Sequence, residues 1–214
     1  MNFEGFIQNL NARLAQPLPG EEAQLRMAPA RRLTLSEYYE LRNHDPVQSA
    51  VLVCLYPALQ SVFTVLMLRP SEQGVHSDQV SFPGGRFEEN DVILENTALR
   101  EAYEEIGIKQ SEVHVLGRLS PLYIPVSNYL VQPIVGFTSQ QPSFIPNHHE
   151  VIRVIELDCN YFLNGGVRGE FTFKSGTGIE IEAPFYEIQQ LKVWGATAMI
   201  LSEFESILQE TFFS

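Results

Sequence analysis

The chain has 214 residues, enough for one domain with a modest appendage. About 70% of the unfolded surface can be buried at that length, so the core needs no disulfide or structural metal. Apolar residues make up 44% and charged residues 19%, which excludes a disordered chain. The 14 Lys and Arg against 26 Asp and Glu leave a formal net charge of −12. That balance argues against a nucleic-acid partner and against an anionic membrane surface. An anionic substrate would need its repulsion offset, and a divalent metal is the simplest means. Cys54 and Cys159 lie near apolar runs and read as buried thiols. Met1–Leu10 carries Glu4 and no basic stretch, and no apolar run approaches a membrane span. A soluble cytoplasmic protein is expected.

Phe3, Phe6, Ile7, Leu10 and Leu14 recur at helical spacing, which predicts an amphipathic helix over 3–15, ended by Pro17, Pro19 and Gly20. Residues 16–47 read as irregular, with one short helix at Ser36–Arg42. Residues 1–47 are therefore taken as an N-terminal extension and 48–214 as the main domain. Ser49–Tyr56 and Val62–Arg69 read as a hairpin around Pro57–Ser61. Residues 93–106 read as a helix with Gly107 as its C-cap. Strands are expected at Val113–Leu119, Tyr129–Phe137, Glu150–Leu157, Glu170–Lys174 and Ile179–Glu182, and a closing helix at Ala196–Thr211. Strands dominate and helices follow irregularly, which predicts an α+β fold with helices on the faces of a mixed sheet.

The segment Arg100-Glu101-Ala102-Tyr103-Glu104-Glu105-Ile106-Gly107-Ile108 carries the chemistry. At about 100° per residue, Ala98, Leu99, Ala102 and Ile106 form one apolar stripe. Glu101 and Glu105 border that stripe one turn apart, and Glu104 lies further round. Arg100 stands four residues before Glu104, at pairing distance. Crowded carboxylates repel, so at least one pKa should rise unless a cation intervenes. Mg²⁺ and Mn²⁺ accept carboxylate oxygens and keep sites for water and phosphate. An isolated E-x-x-E-E is more often a solvated acidic face; its surroundings decide. Upstream, Pro83-Gly84-Gly85 is a tight turn in which backbone can approach a ligand.

Taken together, Gly85, Arg100, Glu101, Glu104, Glu105, Gly107 and Ile108 resemble the Nudix box, G-x5-E-x7-R-E-U-x-E-E-x-G-U, with U a bulky aliphatic. The spacing from Gly85 to Arg100 is one residue longer than the general pattern. Glu89 and Asp91 are the candidates for its first acid. Flanking segments resemble the coenzyme A pyrophosphatase branch: His76–Gly85, Ser127–Gly136, Glu150–Leu157 and Val193–Ala198. The resemblance spans roughly 48–205. Gln73 and Gly74 stand where that branch commonly has Leu-Arg, which removes one cation.

The resemblance implies a Nudix fold, an α/β/α sandwich around a mixed sheet. It implies a pyrophosphatase that cleaves a nucleoside diphosphate linked to another moiety, with coenzyme A or its acyl derivatives favoured. An ADP-sugar or dinucleotide, and a nucleotide-binding module without catalysis, are the alternatives. Glu101, Glu104, Glu105 and the Gly85 carbonyl would hold Mg²⁺ or Mn²⁺. Glu105, Glu150 and Arg100 would act in catalysis, with Glu150 at the start of a strand as a base. Arg69, Arg86 and His76 would meet the substrate. The expected partner is a small nucleotide, with a homodimer left open.

Overall fold

The computed structural model describes residues 2–29, 45–70, 79–174 and 178–213. The short helix expected at Ser36–Arg42, and His76, lie outside the described residues. Helix α1 spans Phe3–Leu14; the Asn2 side chain caps it by accepting the Gly5 N–H at 2.8 Å. Phe6, Ile7 and Leu10 are its buried face. A short helix α2, Gly20–Leu25, follows where an irregular segment was expected.

Strands β1, Val47–Ala58, and β2, Ser61–Leu68, form the expected hairpin. Both run further into the turn than Pro57–Ser61 suggests, because Leu59 and Gln60 take positive φ (48° and 61°) and close a two-residue turn. At their other ends the strands part, and the segment Val80–Arg86 enters the gap. Val80–Ser81, β3, pairs with Leu68 and Met67 of β2. Gly84–Arg86, β4, pairs with Ser49–Val51 of β1. Helix α3 spans Leu94–Ile106 and ends at Gly107, whose φ of 77° gives the left-handed cap. A Cβ there would also lie 2.9 Å from that of Ile145.

Beyond it come β5 at His114–Arg118, β6 at Leu122–Ile124 and β7 at Tyr129–Phe137. Strand β8 spans Arg153–Asp158, followed by helix α4, Cys159–Gly165. Three antiparallel strands form a second small sheet: β9 (Val167–Lys174), β10 (Glu180–Ile188) and β11 (Leu191–Trp194). Helix α5, Gly195–Phe213, closes the chain.

The main sheet is mixed. Strand β1 runs parallel to β7 over nine residue pairs and antiparallel to β2 and β4. Alternation along β1 sends Ala50, Leu52, Cys54 and Tyr56 to one face, where they meet Ala98, Ala102 and Ile106 of α3. Val53 and Leu55 point to the other face, against Phe6 and Leu10 of α1 and Phe204 and Ile207 of α5. The fold is thus α+β, a mixed sheet between helical layers. Cys54 and Cys159 are buried and free, with burial pushing the Cys54 thiol up to about 12. No described helix is long and apolar enough to cross a membrane.

The strand expected at Glu150–Leu157 begins only at Arg153. Asn147 turns the chain first. Its carbonyl accepts the N–H of Glu150 (2.9 Å) and Val151 (2.8 Å), and its side-chain oxygen accepts the N–H of His149 at 3.1 Å. Glu150 therefore sits on a turn, not at a strand end.

Candidate active site

The site forms where the inserted segment Val80–Arg86, which carries β3 and β4, meets α3. The apolar stripe of α3 buries Ala98, Ala102 and Ile106 completely. That packing turns Glu105 inward, with 1% of its side chain exposed, and leaves Glu104 open at 51%. Glu101 is half-buried; the helical spacing predicts that Glu101 and Glu105 are more covered than Glu104, and leaves their own order open.

Glu105 is held from two sides. Its Oε2 accepts the Gly84 N–H at 2.8 Å, and its Oε1 accepts a hydrogen bond from Arg69 Nη2. Burial nonetheless dominates and raises its pKa from 4.5 to about 7, against the pull of Arg69 and the Gly84 N–H. Burial also raises Glu101, opposed by Arg100. The expected repulsion inside the acidic turn is therefore present, but desolvation is the larger cause.

The two glycines do different things. A Cβ on Gly84 would lie 2.3 Å from the Ala50 carbonyl and 2.6 Å from Val51 Cα, so the strand could not approach β1 with a side chain there. A Cβ on Gly85 would lie 2.4 Å from Oε1 of Glu101. The bare backbone of Gly85 is what lets the Glu101 carboxylate stand against this strand.

Arg100 organises the outer side. Its Nε and Nη2 grip Asp91 at 2.8 and 3.0 Å, a bidentate pair. Its Nη1 donates to Glu101 (2.9 Å) and Glu104 (3.1 Å), and Nη2 also reaches the Arg86 carbonyl at 3.1 Å. Asp91 is buried and accepts the Glu88 N–H and the Thr97 hydroxyl, each at 2.9 Å. The Arg100 hydrogen bond, with these, holds its carboxyl down at about 2. Between the two candidates for the first acid, Asp91 is the one paired with Arg100, while Glu89 is exposed. The extra residue of the box falls after Asp91, where exposed Val92 takes a φ of 65°.

The remaining candidates divide. Arg69 is engaged with Ser81, Gly84 and Glu105. Arg86 is exposed beside the box. Glu150 is exposed, and its Oε1 accepts from Asn147 Nδ2 at 3.2 Å. Its turn is tied to α3, because Asn147 donates its N–H to the Glu105 carbonyl (2.8 Å) and Ile145 donates to that of Ile106 (2.9 Å). The i,i+4 spacing correctly paired Arg100 with Glu104 but gave neither its Asp91 nor its Glu101 contact, and it left the partners of Arg69 undetermined. The position of Asp91, six residues after Gly85, was the available signal for the Asp91 contact.

Among the described residues, no group of three or more His, Cys, Asp or Glu is arranged to cage a metal. The donors fit a hard cation that keeps waters and takes one or two carboxylates plus substrate oxygens; Mg²⁺ and Mn²⁺ are of that kind. They do not fit a closed all-protein site.

A NUDIX domain model matches residues 46–175. The uncharacterized Nudix hydrolase NudL of Yersinia pestis (strain Pestoides F) is 35% identical over 175 residues, covering 81% of this chain and 84% of that protein. NudL of Yersinia pseudotuberculosis serotype I (strain IP32953) gives the same figures. Among solved structures, a MutT/nudix family protein from Enterococcus faecalis covers 88% of this chain and 74% of its own, at 18% identity and a TM-score of 0.49. A MutT protein from Methanosarcina mazei Go1 covers 80% and 96%, at 13% identity and a TM-score of 0.49. With the family model spanning more than half its length and relatives at this identity, the chain belongs to the Nudix family and is a Nudix hydrolase, a pyrophosphatase by class.

Proposed function

We propose that this chain hydrolyses coenzyme A or its acyl derivatives at the diphosphate, giving 3′,5′-ADP and phosphopantetheine. The observation that carries the hydrolytic part is the pair Glu101 and Glu105, set against the Gly84–Gly85 backbone with Glu105 almost wholly buried. The coenzyme A part rests on the flanking segments Ser127–Gly136, Glu150–Leu157 and Val193–Ala198. Gly74, standing where that branch commonly carries Arg, favours a second reading in which the substrate is another nucleoside diphosphate derivative.

Nudix hydrolases use divalent cations. Here Glu101 and Glu105, with Glu104 and the Gly85 carbonyl, would hold Mg²⁺ or Mn²⁺. Such an ion supplies charge neutralisation at the diphosphate and a more acidic water. Gly84 and Arg69 fix the Glu105 carboxylate, and Arg100 fixes Glu101. Water adds to one phosphorus and the bridging P–O bond breaks, and the water's proton passes to Glu150 as base. The Asn147 turn couples that base to the helix bearing Glu105.

A screen of phosphate-containing products tests the reading. Coenzyme A, acetyl-coenzyme A, ADP-ribose, an ADP-sugar and a dinucleoside polyphosphate are offered with Mg²⁺ or Mn²⁺. A kcat/KM for coenzyme A at least tenfold above the others supports it. Preference for another nucleotide selects the second reading, and no turnover of any rejects both.

A further inference from the structure

The place of Arg69 in sequence, flanking the glycine turn, suggests either a phosphate contact or a surface side chain; its surroundings point to different work. Arg69 sits just past the end of β2, and its backbone N–H bonds to the Gln79 carbonyl at 3.0 Å. The side chain then spans three parts of the site. Nε donates to Ser81 Oγ at 3.2 Å, and Nη2 donates to the Gly84 carbonyl at 3.0 Å and to the Glu105 carboxylate. Ser81 of β3 and Gly84 of β4 belong to the inserted segment, whereas Glu105 belongs to α3. A guanidinium offers this fork in one rigid plane, and a lysine ammonium does not.

We propose that Arg69 is a positioning residue for the hydrolysis: it clamps the inserted segment to α3 through Glu105 and does not bind the substrate. Two features carry this. First, the Arg69 contact falls on the buried end of the pair, where Glu105 is 1% exposed. Second, each oxygen of Glu105 is held by a different donor, Arg69 on Oε1 and the Gly84 N–H on Oε2. A carboxylate has about four acceptor positions, so this grip sets its plane and still leaves positions for a ligand. Among the described residues Arg69 is the one cation bonded to Glu105. Groups that orient a ligating carboxylate typically change affinity or rate about 10–100-fold when removed.

The proposal rests on Glu105 acting in the reaction, which the Glu105→Gln variant tests separately, and not on which nucleotide is the substrate. Arg69→Lys and Arg69→Gln are assayed in the full chain with the nucleotide the wild type turns over fastest. Binding of imidodiphosphate, a non-hydrolysable diphosphate, is measured by calorimetry with Ca²⁺. The expected result is a kcat lowered about 10–100-fold in both variants. KM and the imidodiphosphate Kd should stay within about threefold of wild type, with undiminished binding stoichiometry. Ser81→Ala, which removes one anchor, should lower kcat by less with KM unchanged. If Arg69→Gln does not fold, Arg69→Lys and Ser81→Ala carry the test. A KM or imidodiphosphate Kd raised tenfold with kcat kept would make Arg69 a substrate contact and overturn the proposal. Wild-type kcat in Arg69→Lys would also overturn it, since a point charge would then suffice. So would a stoichiometry that falls in step with kcat, which would reduce Arg69 to general stability.

Discussion

Replacing Glu105 by Gln separates what this carboxylate costs the fold from what it gives the reaction. The folded chain holds the Glu105 pKa at about 7, against an ordinary 4.5. At about 1.4 kcal/mol per pH unit, that gap is worth about 3 kcal/mol. A carboxyl whose folded pKa is raised favours the folded state most below the unfolded value. That advantage drains away as pH rises from about 4.5 to about 7, and above pH 7 the fold carries a buried charge. Gln imitates the protonated acid: each accepts from only one of the two donors, Gly84 N–H and Arg69, without strain. In chelator at pH 8, Glu105→Gln should therefore melt higher than wild type by up to about 3 kcal/mol. For a chain of this size that is about 6–12 °C. The two curves should converge near pH 4.5. Added Mn²⁺ should raise the melting temperature of the wild type and not of the variant, because only a state that binds the ion is stabilised by it. Turnover should fall by orders of magnitude. Differential scanning fluorimetry at pH 4.5, 6, 7 and 8 reads all of this but the rate. A variant that melts below wild type at pH 8 in chelator would refute the reasoning, since the bonds from Arg69 and Gly84 would then outweigh burial.

Asp91→Asn breaks a buried ion pair and should cost about 3 kcal/mol or more by urea unfolding at pH 7. The Asp91 carboxyl is held down at about 2 from an ordinary 3.8, so its contribution is present above pH 4 and is lost as pH falls through 2. Variant and wild type should converge there. Gly85→Ala should lower kcat sharply with less than about 1 kcal/mol of destabilisation, because its Cβ displaces only the end of the Glu101 side chain. Gly84→Ala meets backbone and should instead cost several kcal/mol; equal losses in the two variants would contradict that contrast. Glu150→Gln should cut kcat with little change in KM and flatten the acidic limb of the pH–rate profile. An unchanged kcat would move the search for the base to Glu104, Glu105 and Glu89. Chelation should abolish activity while near-ultraviolet circular dichroism is kept, since both cores are built without metal.

Much of helix α3 was legible because periodicity is local. The stripe Ala98, Ala102, Ile106 fixes which way α3 faces, and with it the greater burial of Glu101 and Glu105 than of Glu104. Gly107 marks its end for an equally local reason, a left-handed residue. The start of β8 at Arg153 and not at Glu150 is also set locally. Asn147 uses side chain and backbone to make a turn, and the β-type residues that follow pair only from Arg153. What could not be read is the long-range pairing. Nothing in Val80–Arg86 announces that it enters between β1 and β2, because that place exists only once the hairpin has splayed. The short strands β3, β4 and β6, of two or three residues each, are fixed by neighbours and not by propensity. The destination of Arg69 follows from that insertion, since Ser81 and Gly84 come within its reach only there.

The charges of the site follow from the same arrangement. Asp91, Glu101, Glu104 and Glu105 stand against Arg69 and Arg100, and with every carboxyl ionised these six groups leave two negative charges. The two guanidiniums are not interchangeable within that total. Arg100 spends its bidentate contact on Asp91, so Glu101 and Glu104, each held by one hydrogen bond, are steadied without being fully neutralised. Arg69 answers Glu105, the carboxylate whose ionisation burial most opposes. A diphosphate approaching this site alone meets like charge in a chain already at −12. One divalent cation would bring the six groups to neutrality. A cation held as proposed, at the junction of the inserted segment and α3, would meet the requirement inferred from composition, that something offset the repulsion of an anionic substrate.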